Sequence, residues 1–156
     1  MHDSKNAVSV QNTAATLAAQ FDVVPETVFA EAFWQTVCRE WAGLDSHRIN
    51  KILLLVRLVV RRVLAEGRME VICAYALSPR ERKVPDGLRY HVLDLWVEEV
   101  ERSVAETGGR DEEVLTRLMR PVWTMAQEGS SKGVRVRAKE VLVEAEGKGL
   151  WREEMK

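Results

Sequence analysis

Residues 45–67, DSHRINKILLLVRLVVRRVLAEG, give the clearest evidence for the fold class. Asp45 or Ser46 supplies an N-cap and Gly67 supplies a stop, the two signals that bound a helix in a sequence. Leu54 and Leu58 fall away from the main apolar face on a helical wheel, so the helix is apolar beyond a single stripe. We therefore expect it to pack against neighbours on two sides. The main face comprises Ile49, Ile52, Leu53, Val56, Val59, Val60, Val63 and Leu64.

The same helical spacing of apolar residues continues on both sides of this stretch. It predicts further helices with these approximate bounds: 7–21, 25–43, 68–77, 88–108, 111–126 and 132–146. Pro121 must kink or divide the helix in which it lies, because proline lacks the backbone N–H that a helix interior needs. The connection over 78–87 is charged and rich in turn residues, so we expect it to be exposed.

The fold class follows from the many helical patterns and from the lack of strand patterns. No stretch alternates apolar and polar residues between hairpin turns, which is the pattern of a strand. The chain is therefore predicted to be all-α, with antiparallel helices joined by short loops. A HEAT-like helical-repeat stack and an irregular bundle both fit, and the broadly apolar stretch suits the interior of a stack. At 156 residues the chain has the length of one domain, and we assign 1–156 to a single helical-repeat domain.

Composition restricts the partners. Apolar residues make up 46% and charged residues 30%, with four Pro and nine Gly, which is typical of a soluble helical protein rather than a disordered tail. The formal net charge is -1, so any contact with RNA must come from a local basic face. The apolar run Ile49–Val60 includes two cations and is shorter than the roughly 20 residues of a membrane span. We expect neither a membrane span nor a secretory signal.

No residue pattern indicates catalysis or a cofactor. Asp45-Ser46-His47 has the residue types of a hydrolase triad, but consecutive helical positions point about 100° apart and cannot converge. The histidines share no metal-binding spacing, and we expect Cys38 and Cys73 to be reduced core residues. Gly108-Gly109 lacks the spacing of a phosphate-binding loop. We therefore predict no enzymatic activity, no cofactor and no metal site.

Two basic clusters are the remaining candidates for function, since such clusters can bind RNA phosphates or acidic partner surfaces. The alternative is that they are solvated faces balanced by nearby glutamates. Glu98, Glu99 and Glu101 are likewise expected to be solvated. The first cluster, on the stretch 45–67, comprises Arg48, Lys51, Arg57, Arg61 and Arg62, and the second, on the last helix, comprises Lys132, Arg135, Arg137 and Lys139.

Tryptophan is unusually frequent, with five residues against three Phe and two Tyr. This residue fills cores and also anchors interfaces. Trp34 and Trp41 are seven residues apart and therefore lie on nearly the same face of a helix. We expect core packing for both, and contact with a partner is the alternative.

The residues around these two tryptophans resemble the signature of the ribosomal RNA-processing protein 1 family. The resemblance spans roughly Leu17 to Leu142. Its first block is Phe33-Trp34-Gln35-Thr36, Arg39-Glu40-Trp41, Gly43, Asp45, Arg48 and Lys51. Two further blocks are Pro85-Asp86-Gly87-Leu88 with His91 and Trp96–Glu99, and Arg120-Pro121-Val122 with Arg135, Arg137 and Ala138-Lys139-Glu140.

The resemblance implies a nucleolar, non-enzymatic assembly factor that acts as a scaffold within pre-60S particles and supports precursor rRNA processing toward large-subunit rRNA. It also implies a helical-repeat fold that docks beside Brix-type and WD-repeat assembly factors, with direct contact to pre-ribosomal RNA as a secondary role. The alternative is a helical-repeat adaptor between proteins, unrelated to ribosome assembly. The signature carries over as structural or interface positions: Trp34, Arg39, Glu40, Trp41, Asp45, Arg48 and Lys51.

The chain departs from the family pattern in two places. Family members carry further helices before the part that matches Met1, so we expect a fragment of a longer protein. The stretch between Leu64 and Met69 is short, which implies that residues are absent at Gly67-Arg68. Within the pattern, an Arg39–Asp45 or a Glu40–Arg48 ion pair would fix the angle of the tight helix-turn-helix.

Overall fold

A computed structural model describes residues 26–152 of the chain. No strand occurs in these residues, which confirms the predicted all-α class. The helix predicted over 7–21 lies outside the described residues. The elements are α1 Glu26–Glu40, a 3-10 turn Trp41–Gly43, α2 Ser46–Glu66, α3 Glu70–Ala74, α4 Asp86–Thr107, α5 Glu112–Glu128 and α6 Lys132–Gly147.

Three of the described helices begin at side-chain caps, and the first of these caps, Asp45, is the one that the sequence predicts. Asp45 accepts hydrogen bonds from the backbone amides of His47 and Arg48 and so begins α2. Asp111 accepts one from the Glu113 amide at the start of α5. A third cap, Ser131, accepts from the Val134 amide and begins α6. Each cap gives an acceptor to amides that have no partner within their own helix.

Helix α2 ends at Gly67, as predicted. This glycine has a φ of 69°, in the left-handed region that favours glycine. Its amide donates to the Leu64 carbonyl, and the Arg68 amide donates to the Val63 carbonyl, a common helix stop. The connection to α3 is therefore regular as it stands. The absence of residues at Gly67-Arg68 relative to the family stays a prediction.

Two predicted helix lengths are wrong. The helix predicted over 25–43 ends at Glu40, because the chain tightens there into the 3-10 turn Trp41–Gly43. The helix predicted over 68–77 is only the five residues Glu70–Ala74. The chain then turns, and Leu77 donates its amide back to the Ile72 carbonyl while both side chains stay buried. Apolar spacing predicted burial correctly here, but it could not distinguish a helix from a buried turn.

Pro121 was predicted to kink or divide its helix, and division does not occur, since α5 is one helix through this residue. Pro121 and its neighbours Leu118 and Val122 are buried. The indole Nε1 of Trp96 on α4 also donates to the Leu118 carbonyl at 3.0 Å. Pro121 supplies no N–H to the Arg117 carbonyl, and the packing of its buried ring offsets part of that loss.

The helices form two layers. Leu53 and Arg61 of α2 contact His91 and Glu99 of α4, so α2 and α4 run parallel. Arg137 and Lys148 in turn contact Asp94 and Glu101, which makes the chain direction of α6 parallel to that of α4. Helices α2, α4 and α6 form one layer. Helices α1, α3 and α5 form the second layer, in which α1 packs against α3 and α3 lies beside α5. Helix pairs stacked in this way agree with the predicted helical repeat.

Helix α4 is the centre of the stack, with α2 on one side and α6 on the other. Its buried side chains are Leu88, Arg89, Val92, Leu93, Leu95, Trp96, Val97, Glu99, Val100 and Val104. The sequence pointed instead to α2 as the interior helix, yet Leu53, Leu54, Leu55 and Leu58 of α2 all remain partly exposed among the described residues.

Candidate interface at one end of the stack

The N-termini of the parallel helices α2, α4 and α6 lie at one end of the stack. We call it the signature end and define it by residues 39–51, 78–89 and 128–135. Two contacts join its three segments. The Trp41 indole packs against Gly87, and the Ser130 amide donates to the Pro79 carbonyl at 2.9 Å. The fold therefore brings the first two signature blocks together, although they are about forty residues apart in sequence.

The turn between α1 and α2 is fixed by one aspartate and one arginine. Arg48 donates from Nε to Asp45 Oδ2 at 3.2 Å and from Nη2 to the Gly43 carbonyl at 3.1 Å. The backbone amide of Arg48 holds the pKa of Asp45 below its ordinary value, which keeps the cap ionised. Asp45 and Arg48 are both exposed, so the pair acts mainly by setting geometry.

The two ion pairs predicted for this turn do not form. Arg39 lies 3.8 Å from its neighbour Glu40 instead of reaching Asp45, and Arg48 pairs with Asp45 rather than with Glu40. The physical reason is the capping role of Asp45. Its carboxylate faces the first turn of α2, where Arg48 follows three residues later on the same side.

The other signature residues divide into buried and exposed positions. Trp34 has 0% exposure and meets Phe33 edge to face at 5.0 Å between ring centroids. Trp41 is half-buried against Gly87 and the core. The side chains of Arg39 and Glu40 are 69% and 62% exposed, and Lys51 is exposed one and a half turns into α2. The tryptophans thus build the fold, and the charged positions face outward.

Arg89 organises the loop over 78–86, and sequence reasoning missed it. This arginine is only 3% exposed. Its guanidinium donates to the carbonyls of Ser78, Glu81 and Val84 at 2.9, 2.8 and 2.7 Å. It also donates to Asp86 Oδ1 at 3.1 Å. A buried arginine needs such acceptors, and these four hold the whole loop in one conformation.

The expectation that the connection over 78–87 is exposed is wrong in part, because some of its residues are buried. Val84 is 3% exposed and belongs to the core. Arg82 and Lys83 just before it are exposed, and Arg80 reaches Glu128 of α5 at 3.4 Å. The signal that could have found this arrangement is an arginine within the apolar face of a predicted helix, at the position after Leu88.

Two arginines of the first basic cluster face the core. Arg57 Nη1 lies 2.7 Å from Glu99 Oε2, and Arg61 Nε lies 2.8 Å from Glu99 Oε1. The expectation that Glu99 is solvated is wrong, since its side chain has 0% exposure. Burial raises the pKa of this carboxyl, but the hydrogen bonds from Arg61 and Arg57 outweigh it and the pKa falls below its usual value. Arg57 and Arg61 thus join α2 to α4.

Most of the remaining candidate cations also contact the chain itself. Arg62 pairs with Glu66 at 2.8 Å. Arg135 donates to the Gly129 carbonyl at 2.6 Å, which closes the turn between α5 and α6. Arg137 pairs with Asp94 at 2.6 Å, and its guanidinium lies 4.9 Å from the centroid of the Tyr90 ring. Lys132 and Lys139 are exposed and have no partner in the part of the chain that the structure describes.

Residues 26–152 contain no group of three or more His, Cys, Asp or Glu placed to hold a metal ion. None of the helices described here is long and apolar enough to cross a bilayer. Cys38 and Cys73 are free thiols, and burial raises the pKa of Cys73 to about 11.

Comparison with known proteins points to one family. The model of a family described as "Nucleolar protein, Nop52" matches residues 4–156. The chain is 32% identical over 113 residues to "Ribosomal RNA processing protein 1 homolog B" of Homo sapiens, a match that covers 64% of this chain and 14% of that protein. It is 31% identical over 91 residues to "Ribosomal RNA processing protein 1 homolog A" of Homo sapiens, covering 51% of this chain and 20% of that one.

A more distant relative has the same kind of name. The chain is 29% identical over 102 residues to "Ribosomal RNA processing protein 1 homolog" of Drosophila melanogaster, covering 59% of this chain and 13% of the relative. In each of these three relatives the match spans about a fifth of the length or less.

Proposed function

The chain belongs to the Nop52 family of nucleolar proteins, and we propose from this membership that it works in the nucleolus as a non-enzymatic ribosome-biogenesis factor. The family match over residues 4–156 is the observation that carries the proposal, because it includes nearly the whole chain. The relatives are named for ribosomal RNA processing. The process we propose is therefore maturation of precursor rRNA toward large-subunit rRNA within pre-60S particles.

A scaffold role is supported by how the chain uses its charged groups. Perturbed pKa values often mark catalytic residues, but those of Asp45 and Glu99 have structural explanations. Asp45 caps α2, and Glu99 joins α2 to α4 through two arginines. Stacked helix pairs present extended faces that suit protein partners. Brix-type and WD-repeat proteins of the particle are the partners that we propose.

Exposed charges supply the contacts in this proposal. Arg39, Glu40 and Lys51 would meet protein partners, because they flank the turn whose geometry Asp45 and Arg48 fix. Lys132 and Lys139 would meet pre-ribosomal RNA, since their ammonium groups are exposed along α6. The arginines that already have partners in the chain would have a supporting role: Arg57, Arg61, Arg62, Arg135 and Arg137.

The test is affinity purification of the full-length protein from nuclear extract, with co-purifying proteins and RNA identified by mass spectrometry and sequencing. We expect large-subunit precursor RNA together with assembly factors. The variant Lys132→Glu with Lys139→Glu should recover less of this RNA. Arg135 is left unchanged because it closes a turn, and Arg102→Glu with Arg117→Glu is the control of equal charge change. Recovery of unrelated proteins without precursor RNA would favour an adaptor outside ribosome assembly.

A further inference from the structure

The small net charge of the chain conceals an uneven distribution. The signature end contains nine Lys and Arg against five Asp and Glu within 39–51, 78–89 and 128–135. At the opposite end, residues 62–70, 101–117 and 143–152 contain seven Lys and Arg against nine Asp and Glu. One end of the stack is therefore basic and the other acidic. A local excess of cations attracts polyanions even when the whole chain is nearly neutral.

We propose that the part of the signature end formed by residues 78–89 and 128–135 is the surface that contacts RNA, and that it binds phosphates of the backbone through Arg82 and Lys83 of the loop and Lys132 of α6. This inference rests on the proposed function and deepens it by assigning the RNA contact to one surface. All three side chains are exposed, and none has a partner among the described residues. The hydrogen bond from Ser130 to Pro79 joins the two segments that carry them.

The backbone that carries Arg82 and Lys83 is ordered. Arg89 donates hydrogen bonds to four acceptors in the loop, the carbonyls of Ser78, Glu81 and Val84 and the carboxylate of Asp86. Two further hydrogen bonds lie within the loop, from the Glu81 amide to Ser78 Oγ at 3.2 Å and from the Lys83 amide to Glu81 Oε1 at 3.1 Å. Ordering before binding lowers the entropy lost on association. A charged loop held by a buried arginine is therefore suited to a fixed array of phosphates.

The chemistry of the loop favours phosphates over a protein partner. Protein interfaces centre on apolar or aromatic anchors. In this loop Val84 is buried, and the side chains that the loop exposes are charged. It also favours the backbone over the bases. Every aromatic side chain within 26–152 is buried or half-buried, so the described surface lacks the stacking platforms of single-strand binders. Binding should tolerate any sequence and depend strongly on salt.

The experiment measures binding of the purified full-length protein to a labelled RNA duplex of arbitrary sequence by fluorescence anisotropy at several salt concentrations. The test variant is Arg82→Glu with Lys83→Glu. The control is Arg102→Glu with Arg117→Glu, which changes the net charge equally at the acidic end. Both variants should unfold at the same denaturant concentration as the wild type, because these side chains are exposed.

We expect the loop variant to raise Kd at least about tenfold at low salt, and to reduce the slope of log K against log salt by about two, one for each lost phosphate contact. The control should stay within about threefold of the wild type, as expected for a change in overall charge alone. Equal weakening by both variants, or a wild-type protein that does not bind the duplex, would overturn the proposal. Preference for an unstructured single strand would overturn the backbone mode.

Failure of this inference is distinguishable from failure of the proposed function. If precursor RNA is recovered from nuclear extract but the loop variant binds the duplex like the wild type, the surface assignment alone is wrong. If the wild-type protein recovers no precursor RNA from the extract, the proposed function is wrong, whatever the duplex measurement gives.

Discussion

The indole of Trp41 packs so closely on Gly87 that a β-carbon at residue 87 would lie 2.9 Å from Trp41 Nε1. This contact joins the turn after α1 to the first turn of α4. It explains why these two residue types occur together, because only glycine leaves room for the ring. The contact also sets the position of the loop that precedes α4.

Replacing Gly87 by alanine should therefore destabilise the protein. In an open helix this change would stabilise by up to about 1 kcal/mol through helix propensity. Here the ring carbons Cε2 and Cζ2 would each lie 3.3 Å from the new β-carbon, so the indole must move. We expect a net loss of about 1–3 kcal/mol in the free energy of unfolding, measured by denaturant titration.

Gly43→Ala is the matched control for this change. No atom lies within 4 Å of a β-carbon at Gly43, and its φ is not positive. Its effect should stay within about 0.5 kcal/mol. In a Trp41→Leu background, Gly87→Ala should cost less than in the wild type. An equal cost in both backgrounds would show that the indole is not the cause.

The ion pairs around Glu99 give a second prediction. Arg57→Leu with Arg61→Leu leaves a carboxylate of 0% exposure without its partners. We expect a loss of about 3 kcal/mol, the lower end for a broken buried pair, because both arginines are about one-third exposed. Adding Glu99→Leu should restore most of this stability, since the buried charge is then gone. Thermal or denaturant unfolding would measure both changes.

The control for these variants is an exposed ion pair on α4, the helix that carries Glu99. Arg102 lies 3.8 Å from Glu106, and both side chains are about half exposed. Arg102→Leu should change the free energy of unfolding by no more than about 0.5 kcal/mol. A triple variant no more stable than the double variant would contradict the assigned role of Glu99.

Apolar spacing in the sequence predicted most of the helices but not the partners of buried charges. Caps such as Asp45 and stops such as Gly67 act within a few residues, so their effects are visible in the sequence. Glu99 and Arg57 are forty-two residues apart, and their contact depends on how α2 packs against α4. Spacing alone could not distinguish an exposed cation from one that faces a buried carboxylate.

The same limit applied to the candidate interface. The sequence placed Arg135 and Arg137 in a basic cluster, but the turn at Gly129 and the face of α4 supply their partners. It also gave no reason to select Arg82 and Lys83 from the charged loop. The contact of their loop with the segment before Lys132 depends on the antiparallel return of α5, which brings Ser130 against Pro79.

Arg89 gives a third prediction, because its loop contains three trypsin sites: Arg80, Arg82 and Lys83. Arg89→Lys keeps the charge but cannot reach four acceptors with one ammonium group. Loss of a single charged hydrogen bond costs about 1.5 kcal/mol or more, so cleavage of the native protein within the loop should become at least about tenfold faster. Timed proteolysis with mass spectrometry would measure this rate.

A variant outside the loop controls for global unfolding in that assay. Arg152→Lys changes an exposed arginine far from the loop, at the opposite end of the stack. Under native conditions, trypsin should cleave the loop of the Arg152→Lys variant at the wild-type rate. If Arg89→Lys also left the rate unchanged, the loop would not depend on the four hydrogen bonds.

His91 gives the last prediction, a dependence of stability on pH. Burial holds its pKa below the ordinary value, and the nearby charge of Arg57 acts in the same direction, against the Leu53 carbonyl and Asp94. The unfolded chain therefore takes up a proton near pH 6.5 before the folded chain does, so the free energy of unfolding falls as pH drops below about 6.5.

Glu99 adds a second loss of stability at lower pH, because its folded pKa is depressed and its contribution disappears as pH falls through that value. Denaturant titrations between pH 7.5 and 3 should show the loss from His91 and the onset of the loss from Glu99 in the wild type, whereas His91→Gln should remove only the loss from His91. Parallel curves for the two proteins would mean that His91 takes up its proton equally in the folded and unfolded states.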